Sequence, residues 1–135
     1  MKPVKATVSN VLVVDDDSSI RNLLAEELRY RGYSVNVARN GSEALERVQE
    51  LTPDVIVLDL MMPNVTGFEV IEHLSAGRAV PMVPVIVYSS MTDDATRERL
   101  GSRIVDLISK NQPAPAAASA LRAAVARALQ PVSTS

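Results

Sequence analysis

The stretch Asp54-Val55-Ile56-Val57-Leu58-Asp59-Leu60-Met61-Met62-Pro63 decides the fold of this chain. Four apolar residues, three of them β-branched, lead directly into the carboxylate of Asp59. A run this short and this apolar is typical of a strand that is buried on both faces of a parallel sheet. Ligands of such sheets bind just beyond the carboxyl ends of the strands, so Asp59 lies where a functional site is expected. The alternative is that Asp59 only begins a turn or caps the next helix.

The rest of the chain alternates short apolar runs with amphipathic segments. The predicted strands are residues 10–14, 33–37, 55–58, 83–88 and 104–108, and the predicted helices are residues 19–31, 42–51, 68–74, 92–100 and 116–129. Residues 75–78 are predicted as a loop and residues 112–115 as a linker. Strands that alternate with helices predict right-handed parallel crossovers and an α/β sheet with helices on both faces. We expect one domain over residues 1–135, with a core from about residue 8 to 129 and flexible ends at 1–7 and 130–135.

Composition excludes several classes of function. The net charge of −2 argues against an electrostatic binder of nucleic acid, and the absence of cysteine excludes disulfides and thiolate metal sites. No apolar run approaches the roughly 20 residues that span a bilayer, and no signal peptide follows Met1. We therefore expect a cytoplasmic protein that binds neither membrane nor nucleic acid.

Polar side chains follow four of the five predicted strands. Asp15 and Asp16 follow the first, Asp59 the third, Ser89 the fourth and Lys110 the fifth. All parallel strands present their carboxyl ends at one edge of the sheet, so these five side chains are predicted to converge on one crevice. A lysine that faces carboxylates could instead form a structural ion pair.

Clustered carboxylates repel one another and need a cation to stay ionised together. Oxygen ligands without His or Cys point to Mg²⁺, which can offset the charge on the oxygens of a phosphoryl group. Asp59 is then a candidate carboxylate nucleophile that forms an acyl phosphate. In this interpretation Lys110 supplies a positive charge and Ser89 a hydroxyl to the phosphoryl oxygens.

These motifs resemble the receiver domain of two-component response regulators over about residues 8–129. The resemblance rests on Val11–Asp17, on Val55–Pro63 with Gly67, on Val85–Ser89 and on Lys110. It implies a flavodoxin-like (βα)₅ doubly wound fold with strand order 2-1-3-4-5. It also implies that Asp59 takes phosphate from a histidine kinase or a histidine phosphotransfer protein and that a protein-binding surface then changes, without enzymatic turnover.

The resemblance also assigns roles to individual residues. Asp15 and Asp16 match the acidic pair of the family, with Asp16 as the direct Mg²⁺ ligand, and the backbone carbonyl of Met61 matches a further ligand. Ser89 matches the switch hydroxyl, and Lys110 matches the active-site lysine. The resemblance thus implies two kinds of partner, a histidine kinase or phosphotransfer protein that donates phosphate and a downstream protein target.

The sequence departs from the family pattern after the fourth strand. Asn111 follows Lys110 where the family usually has a cis proline, and a cis bond before another residue costs about 3 kcal/mol, so this bond is predicted trans. Leu107 stands where the family often has Tyr or Phe, which puts the usual aromatic readout in doubt. The charged segment 93–101 is expected to be mobile or remodelled on binding.

Two alternatives remain from the residues alone. A binding module could keep this fold and act without phosphorylation, as Leu107 and Asn111 allow. A Mg²⁺-dependent phosphohydrolase could use an aspartate nucleophile, but such enzymes typically need a second acid two residues later, where this chain has Met61.

Overall fold

The computed structural model describes residues 8–76 and 83–130 and contains one five-stranded parallel sheet. The strands are β1 (Asn10–Val14), β2 (Ser34–Ala38), β3 (Val55–Leu58), β4 (Val85–Ser89) and β5 (Asp106–Ser109). The helices are α1 (Ser18–Tyr30), α2 (Gly41–Leu51), α3 (Gly67–Ala76), α4 (Asp94–Leu100) and α5 (Ala114–Leu129), with a short 3₁₀ turn at Gly101–Arg103. The strand order is β2-β1-β3-β4-β5, which confirms the predicted α/β fold and the predicted order.

Each face of the sheet carries its own apolar core. On one face, strand residues such as Val13, Val57 and Ile86 pack against α1 and α5. On the other face, strand residues such as Ile56 and Leu58 pack against α2, α3 and the end of α4. Full burial of an aliphatic side chain contributes roughly 1.5–3 kcal/mol, so these two layers supply most of the driving force that holds the sheet between its helices.

The central strand is buried as the sequence predicts. Val55, Ile56, Val57 and Leu58 are each at most 1% exposed. Strand β3 pairs with β1 on one side and β4 on the other, in parallel register. Alternate residues of β3 therefore point into the two different cores, which explains why the run is apolar at every position.

Several predicted boundaries are wrong. Helix α3 continues through Ser75 and Ala76, which were predicted as a loop, and α5 begins at Ala114 with Pro115 in its first turn, where a missing N–H costs nothing. Strand β5 begins at Asp106 rather than at residue 104. Strand β4 and helix α4 likewise begin two residues later than predicted, and the remaining ends lie within one residue of their predicted positions.

Other expectations fall outside the description or differ in burial. The predicted flexible ends at 1–7 and 130–135 lie outside the described residues except for Gln130, and so do the loop residues 77–78. The helical spacing of Leu23 from Ile20 predicts that both lie on the apolar stripe of α1, but Leu23 is 57% exposed. Within residues 8–76 and 83–130, the peptide bonds include no cis bond, so Lys110–Asn111 is trans as predicted. Within the same ranges, no helix combines the length and apolarity needed to cross a membrane.

Candidate functional site

The end of β1 places a buried carboxylate beside an exposed one. The backbone N–H of Asp15 donates to the Ala38 carbonyl at 3.1 Å, which extends the pairing of β1 with β2 by one residue. The Asp15 side chain is buried, and its Oδ1 accepts from the backbone N–H of Asp17 at 2.9 Å. Asp17 in turn caps α1 through the N–H groups of Ser19 and Ile20, while Asp16 remains exposed. The three consecutive acids are therefore used in three different ways.

The end of β3 places Asp59 next to this acidic pair. The backbone N–H of Asp59 donates to the Val14 carbonyl at 3.0 Å, so the residue is held directly against β1. Its carboxylate is 5% exposed, and Oδ1 accepts from the Met61 N–H at 3.3 Å. Gly67 packs against the backbone of Asp59 and Leu60 and donates its own N–H to the Leu60 carbonyl at 3.0 Å. The loop after β3 therefore folds tightly around the carboxylate.

Asp15, Asp16 and Asp59 form one cluster, as the sequence predicts. One carboxylate oxygen from each residue lies within 4.8 Å of the corresponding oxygens of the other two. Two of these acids are buried and one is exposed, so the cluster opens to solvent on the side of Asp16. Among the described residues, this group has the composition and the spacing that can hold a metal ion.

Lys110 brings an amine to the same cluster from the edge strand. Its Nζ lies 2.7 Å from Oδ2 of Asp15 and 3.3 Å from Oδ2 of Asp59. Its backbone N–H donates to the Ser89 carbonyl at 2.9 Å, which fixes the start of the loop after β5 against β4. The Nζ also lies 5.5 Å from the ring centroid of Tyr88, within the range of a weak cation–π contact.

Ser89 ends β4 and is fully buried. Its Oγ accepts from the backbone N–H of Met91 at 3.1 Å, so the hydroxyl and the following loop form one hydrogen-bonded unit. The partner of Ser89 in the register of β5 is Ser109, immediately before Lys110. The hydroxyl and the amine are thus carried on adjacent strands that end at the same level.

The electrostatics of the cluster follow from burial. Burial raises the pKa of Asp59 above its usual 3.8, and the negative charge of Asp15 acts in the same direction, although Lys110 and the Met61 N–H oppose both. Burial disfavours the charged form of Lys110, but its hydrogen bond to Asp15 and the charges of Asp15 and Asp59 outweigh this effect and raise its pKa above 10.5. Lys110 therefore stays protonated at neutral pH, whereas burial makes the ionised form of Asp59 less favourable than it is in water.

The residues of the cluster fit a divalent cation. Three carboxylates face one ammonium group, so a net negative charge remains when all of them are ionised. All the candidate donors are hard oxygens, which favours Mg²⁺ over the transition metals that prefer nitrogen or sulfur. The observation that supports the fit is that the buried carboxylates of Asp15 and Asp59 lie within 4.8 Å of each other and of Asp16, because an added positive charge favours their joint ionisation.

Sequence reasoning missed three contacts of the site. The close packing of Gly67 on Asp59 was suggested only by the presence of a glycine in the loop. Arg21 donates from its guanidinium to the Asp15 carbonyl at 2.9 Å, and its spacing six residues after Asp15 gave no recognisable signal. The side chain of Asn111 donates to the Ser90 carbonyl at 3.1 Å. His73 is exposed on α3.

Comparison with known proteins assigns the class. The family model described as the response regulator receiver domain matches residues 11–125. The chain therefore belongs to the receiver domain family of response regulators, the proteins of two-component signalling.

Individual relatives agree with this assignment. The chain is 41% identical over 91 residues to Response regulator RR06 of Streptococcus pneumoniae serotype 2, a match that covers 67% of this chain and 41% of that protein. It is 40% identical over 84 residues to Response regulator MprA of Mycobacterium sp. strain KMS, covering 62% of this chain and 36% of that protein. The matched region thus spans well under half the length of these relatives.

Solved structures show the same fold along nearly the whole chain. The chemotaxis protein CheY4 of Vibrio cholerae, crystallised at low pH, superposes with a TM-score of 0.79 at 27% identity, and the match covers 91% of this chain and all of that one. The N-terminal domain of a response regulator receiver protein from Methanoculleus marisnigri JR1 superposes with a TM-score of 0.73 at 28% identity, covering 93% of this chain and all of that one.

Proposed function

We propose that this domain accepts a phosphoryl group on Asp59 from a histidine kinase or a histidine phosphotransfer protein. The observation that carries the proposal is the burial of the Asp59 carboxylate beside Asp15 and Asp16, with the Lys110 ammonium in contact. Phosphohistidine is the donor class that response regulators use. In this role the chain is phosphorylated and later dephosphorylated on Asp59, and it is not an enzyme that turns over a substrate.

The transfer needs one bond to form and one to break. A carboxylate oxygen of Asp59 attacks phosphorus, the P–N bond of the phosphohistidine breaks, and the released imidazole nitrogen takes a proton from solvent. Lys110 already lies 3.3 Å from Oδ2 of Asp59, so its ammonium can move with the phosphoryl oxygens and neutralise part of their charge. The Met61 N–H, 3.3 Å from Oδ1, helps to fix the direction in which the nucleophile points.

Asp15, Asp16 and Asp59, with the backbone carbonyl of Met61, are the groups that would hold Mg²⁺ in this proposal. When bound, Mg²⁺ offsets the negative charge that accumulates on the phosphoryl oxygens. The 2.7 Å contact between Lys110 Nζ and Asp15 Oδ2 keeps both side chains turned toward the cluster.

Ser89 is the proposed link from the phosphate to the protein surface. The Ser89 side chain is buried, and its Oγ accepts a hydrogen bond from the Met91 N–H. The hydroxyl can still donate its own hydrogen to a phosphoryl oxygen. We propose that the domain exchanges between two arrangements and that phosphate on Asp59 favours the one in which Ser89 is drawn toward it. The output is a changed surface for a downstream protein, and the expected setting for such a pathway is the cytoplasm.

The test is labelling with a small phosphodonor. We expect acetyl phosphate with Mg²⁺ to label the wild-type protein once per chain and to leave Asp59→Asn unlabelled, as measured by intact-mass spectrometry under conditions that preserve acyl phosphates. Asp54→Asn is the matched control. Asp54 is an exposed acid that directly precedes β3, whereas Asp59 directly follows it, so this substitution should leave labelling intact. Stoichiometric labelling of Asp59→Asn would refute the assignment.

A binding module that acts without phosphorylation is the second candidate. It is favoured by Leu107, which is buried in the core and lacks the aromatic ring that relatives often use as a readout. Equal affinity for the downstream partner before and after phosphorylation, measured by calorimetry, would support this candidate. A measured turnover of phosphate esters would instead revive the phosphohydrolase alternative.

A further inference from the structure

The loop after β5 holds the loop after β4 through two successive carbonyls. The backbone N–H of Lys110 donates to the Ser89 carbonyl at 2.9 Å, and the side-chain amide of Asn111 donates to the Ser90 carbonyl at 3.1 Å. Asn111 thus continues the hydrogen-bonded ladder by one residue beyond the end of the sheet, using its side chain in place of its backbone. Its own backbone N–H is taken by Oγ of Ser109 at 2.9 Å.

Asn111 contacts the turn formed by residues 89–91, and this turn must move if Ser89 moves. Oγ of Ser89 accepts from the Met91 N–H at 3.1 Å, so the hydroxyl, Ser90 and Met91 form one short turn. Ser89 is fully buried, and Ser90 is exposed next to it. A displacement of the hydroxyl toward Asp59 that carries this turn along would stretch the bond between Asn111 and Ser90.

We propose that Asn111 is a positioning residue that acts through Ser90 and holds Ser89 in its phosphate-free arrangement. This inference rests on the proposed phosphorylation of Asp59. Asn111 is exposed, and its hydrogen bonds within the described residues go to Ser109 and Ser90 rather than to the acidic cluster. Its effect is therefore on the balance between two arrangements and not on the nucleophile. A ligand that binds only the less populated arrangement has an apparent Kd equal to its intrinsic Kd divided by the population of that arrangement. Loss of the Asn111 bond increases this population and therefore lowers the apparent Kd.

The experiment uses beryllofluoride with saturating Mg²⁺ as a non-covalent mimic of the phosphoryl group. Its Kd is measured by NMR titration for the wild-type protein, Asn111→Leu and Asn111→Ala. One intramolecular hydrogen bond has a net worth that corresponds to about three- to tenfold in an equilibrium constant, so we expect both variants to bind beryllofluoride about three- to tenfold more tightly. Gln112→Leu is the matched control, because its amide donates to the Ser109 carbonyl at 2.8 Å and does not reach the loop after β4.

A second background separates positioning from a general structural effect. In Ser89→Ala the hydroxyl that Asn111 is proposed to restrain is gone, so Asn111→Leu should no longer tighten binding. Unchanged or weaker binding in both Asn111 variants, an equal effect in Gln112→Leu, or full persistence of the effect in the Ser89→Ala background would each overturn the inference. Failure of the wild-type protein to bind beryllofluoride would count instead against the proposed function.

Discussion

Gly67 lies so close to Asp59 that no side chain can be added to it. A Cβ at this position would overlap the carbonyl oxygen of Asp59 and would lie 2.7 Å from the Cα of Leu60. Both neighbours are backbone atoms, which cannot rotate away as the end of a flexible side chain can. The first turn of α3 is therefore packed directly on the peptide that carries the proposed phosphoacceptor.

We expect Gly67→Ala to lose both stability and labelling. Overpacking of this kind costs about 1–3 kcal/mol, and here the relaxation moves Asp59 itself. The measurement is the free energy of unfolding in urea together with the rate of labelling by acetyl phosphate. Gly32→Ala is the control, since Gly32 has a positive φ of 96° but open space around it, and it should lose stability while keeping labelling. Normal labelling in a folded Gly67→Ala would show that the packing is not needed by the site.

Asp59→Asn should stabilise the metal-free protein near neutral pH. Because burial raises the pKa of Asp59 above 3.8, the folded protein binds this proton more tightly than the unfolded chain does. The stabilisation from this group is thus complete below the unfolded pKa and is lost as the pH rises through the folded pKa. We expect thermal unfolding in EDTA at pH 7 to show a higher Tm for Asp59→Asn than for the wild-type protein, with a smaller difference near pH 4.

Mg²⁺ should reverse part of that difference. A ligand at ten times its Kd stabilises the folded state by about 1.4 kcal/mol, and only the wild-type chain retains all three carboxylates. The wild-type Tm should therefore rise on addition of Mg²⁺ by more than the Tm of the variant. An equal rise in both proteins would argue that Asp59 takes no part in metal binding.

The two methionines near the site predict a long-lived phosphorylated form. Met61 follows Asp59 by two residues and is 56% exposed, and Met91 follows Ser89 by two. Neither side chain can orient a water molecule for attack. We expect Met61→Asn or Met91→Glu to speed the decay of phosphorylated protein about tenfold, a change of about 1.4 kcal/mol in the barrier.

The decay is followed by the loss of the phosphorylated mass over time after removal of the phosphodonor. Met61→Leu is the control, because it keeps an apolar side chain and should keep the slow rate. If neither polar variant decays faster, the methionines do not set the lifetime.

Leu107 should contribute to stability rather than to chemistry. Its side chain is 7% exposed and packs in the core on the side of α2, α3 and α4. Truncation of a buried leucine costs about 2–5 kcal/mol, so Leu107→Ala should show that loss in urea unfolding while Asp59 is still labelled. Val105→Ala, at a position that is 44% exposed, should change little. A loss of labelling by folded Leu107→Ala would instead give Leu107 a part in the site.

The convergence of the acids could be predicted because it follows from simple patterns, whereas the order of the strands was implied by the resemblance to receiver domains. A buried strand such as β3 needs apolar residues on both faces, and a carboxylate directly after it has to lie at the edge. The boundaries of β5 were less accurate because Ile104 and Val105 are as apolar as the strand that follows. The Val105 N–H donates to the Val85 carbonyl at 2.7 Å, yet the residue lies before the ladder and is largely exposed.

Contacts between loops could not be predicted in the same way. The hydrogen bond from Asn111 to Ser90 joins residues 21 positions apart, and nothing in either local pattern specifies it. Leu23 shows a different kind of error. Its spacing places it on the apolar stripe of α1, but it lies at the solvent-exposed margin of that stripe. Both features depend on how elements approach one another in three dimensions.

The position of Lys110 directly after β5 has a consequence for biosynthesis. The acids of the cluster lie at the ends of β1 and β3, whereas the amine that contacts two of them follows β5 and is synthesised later. A nascent chain that ends after β4 holds its acids without this counter-charge and without the edge strand that pairs with β4. Competence to take up phosphate should therefore appear only after β5 and Lys110 have been synthesised.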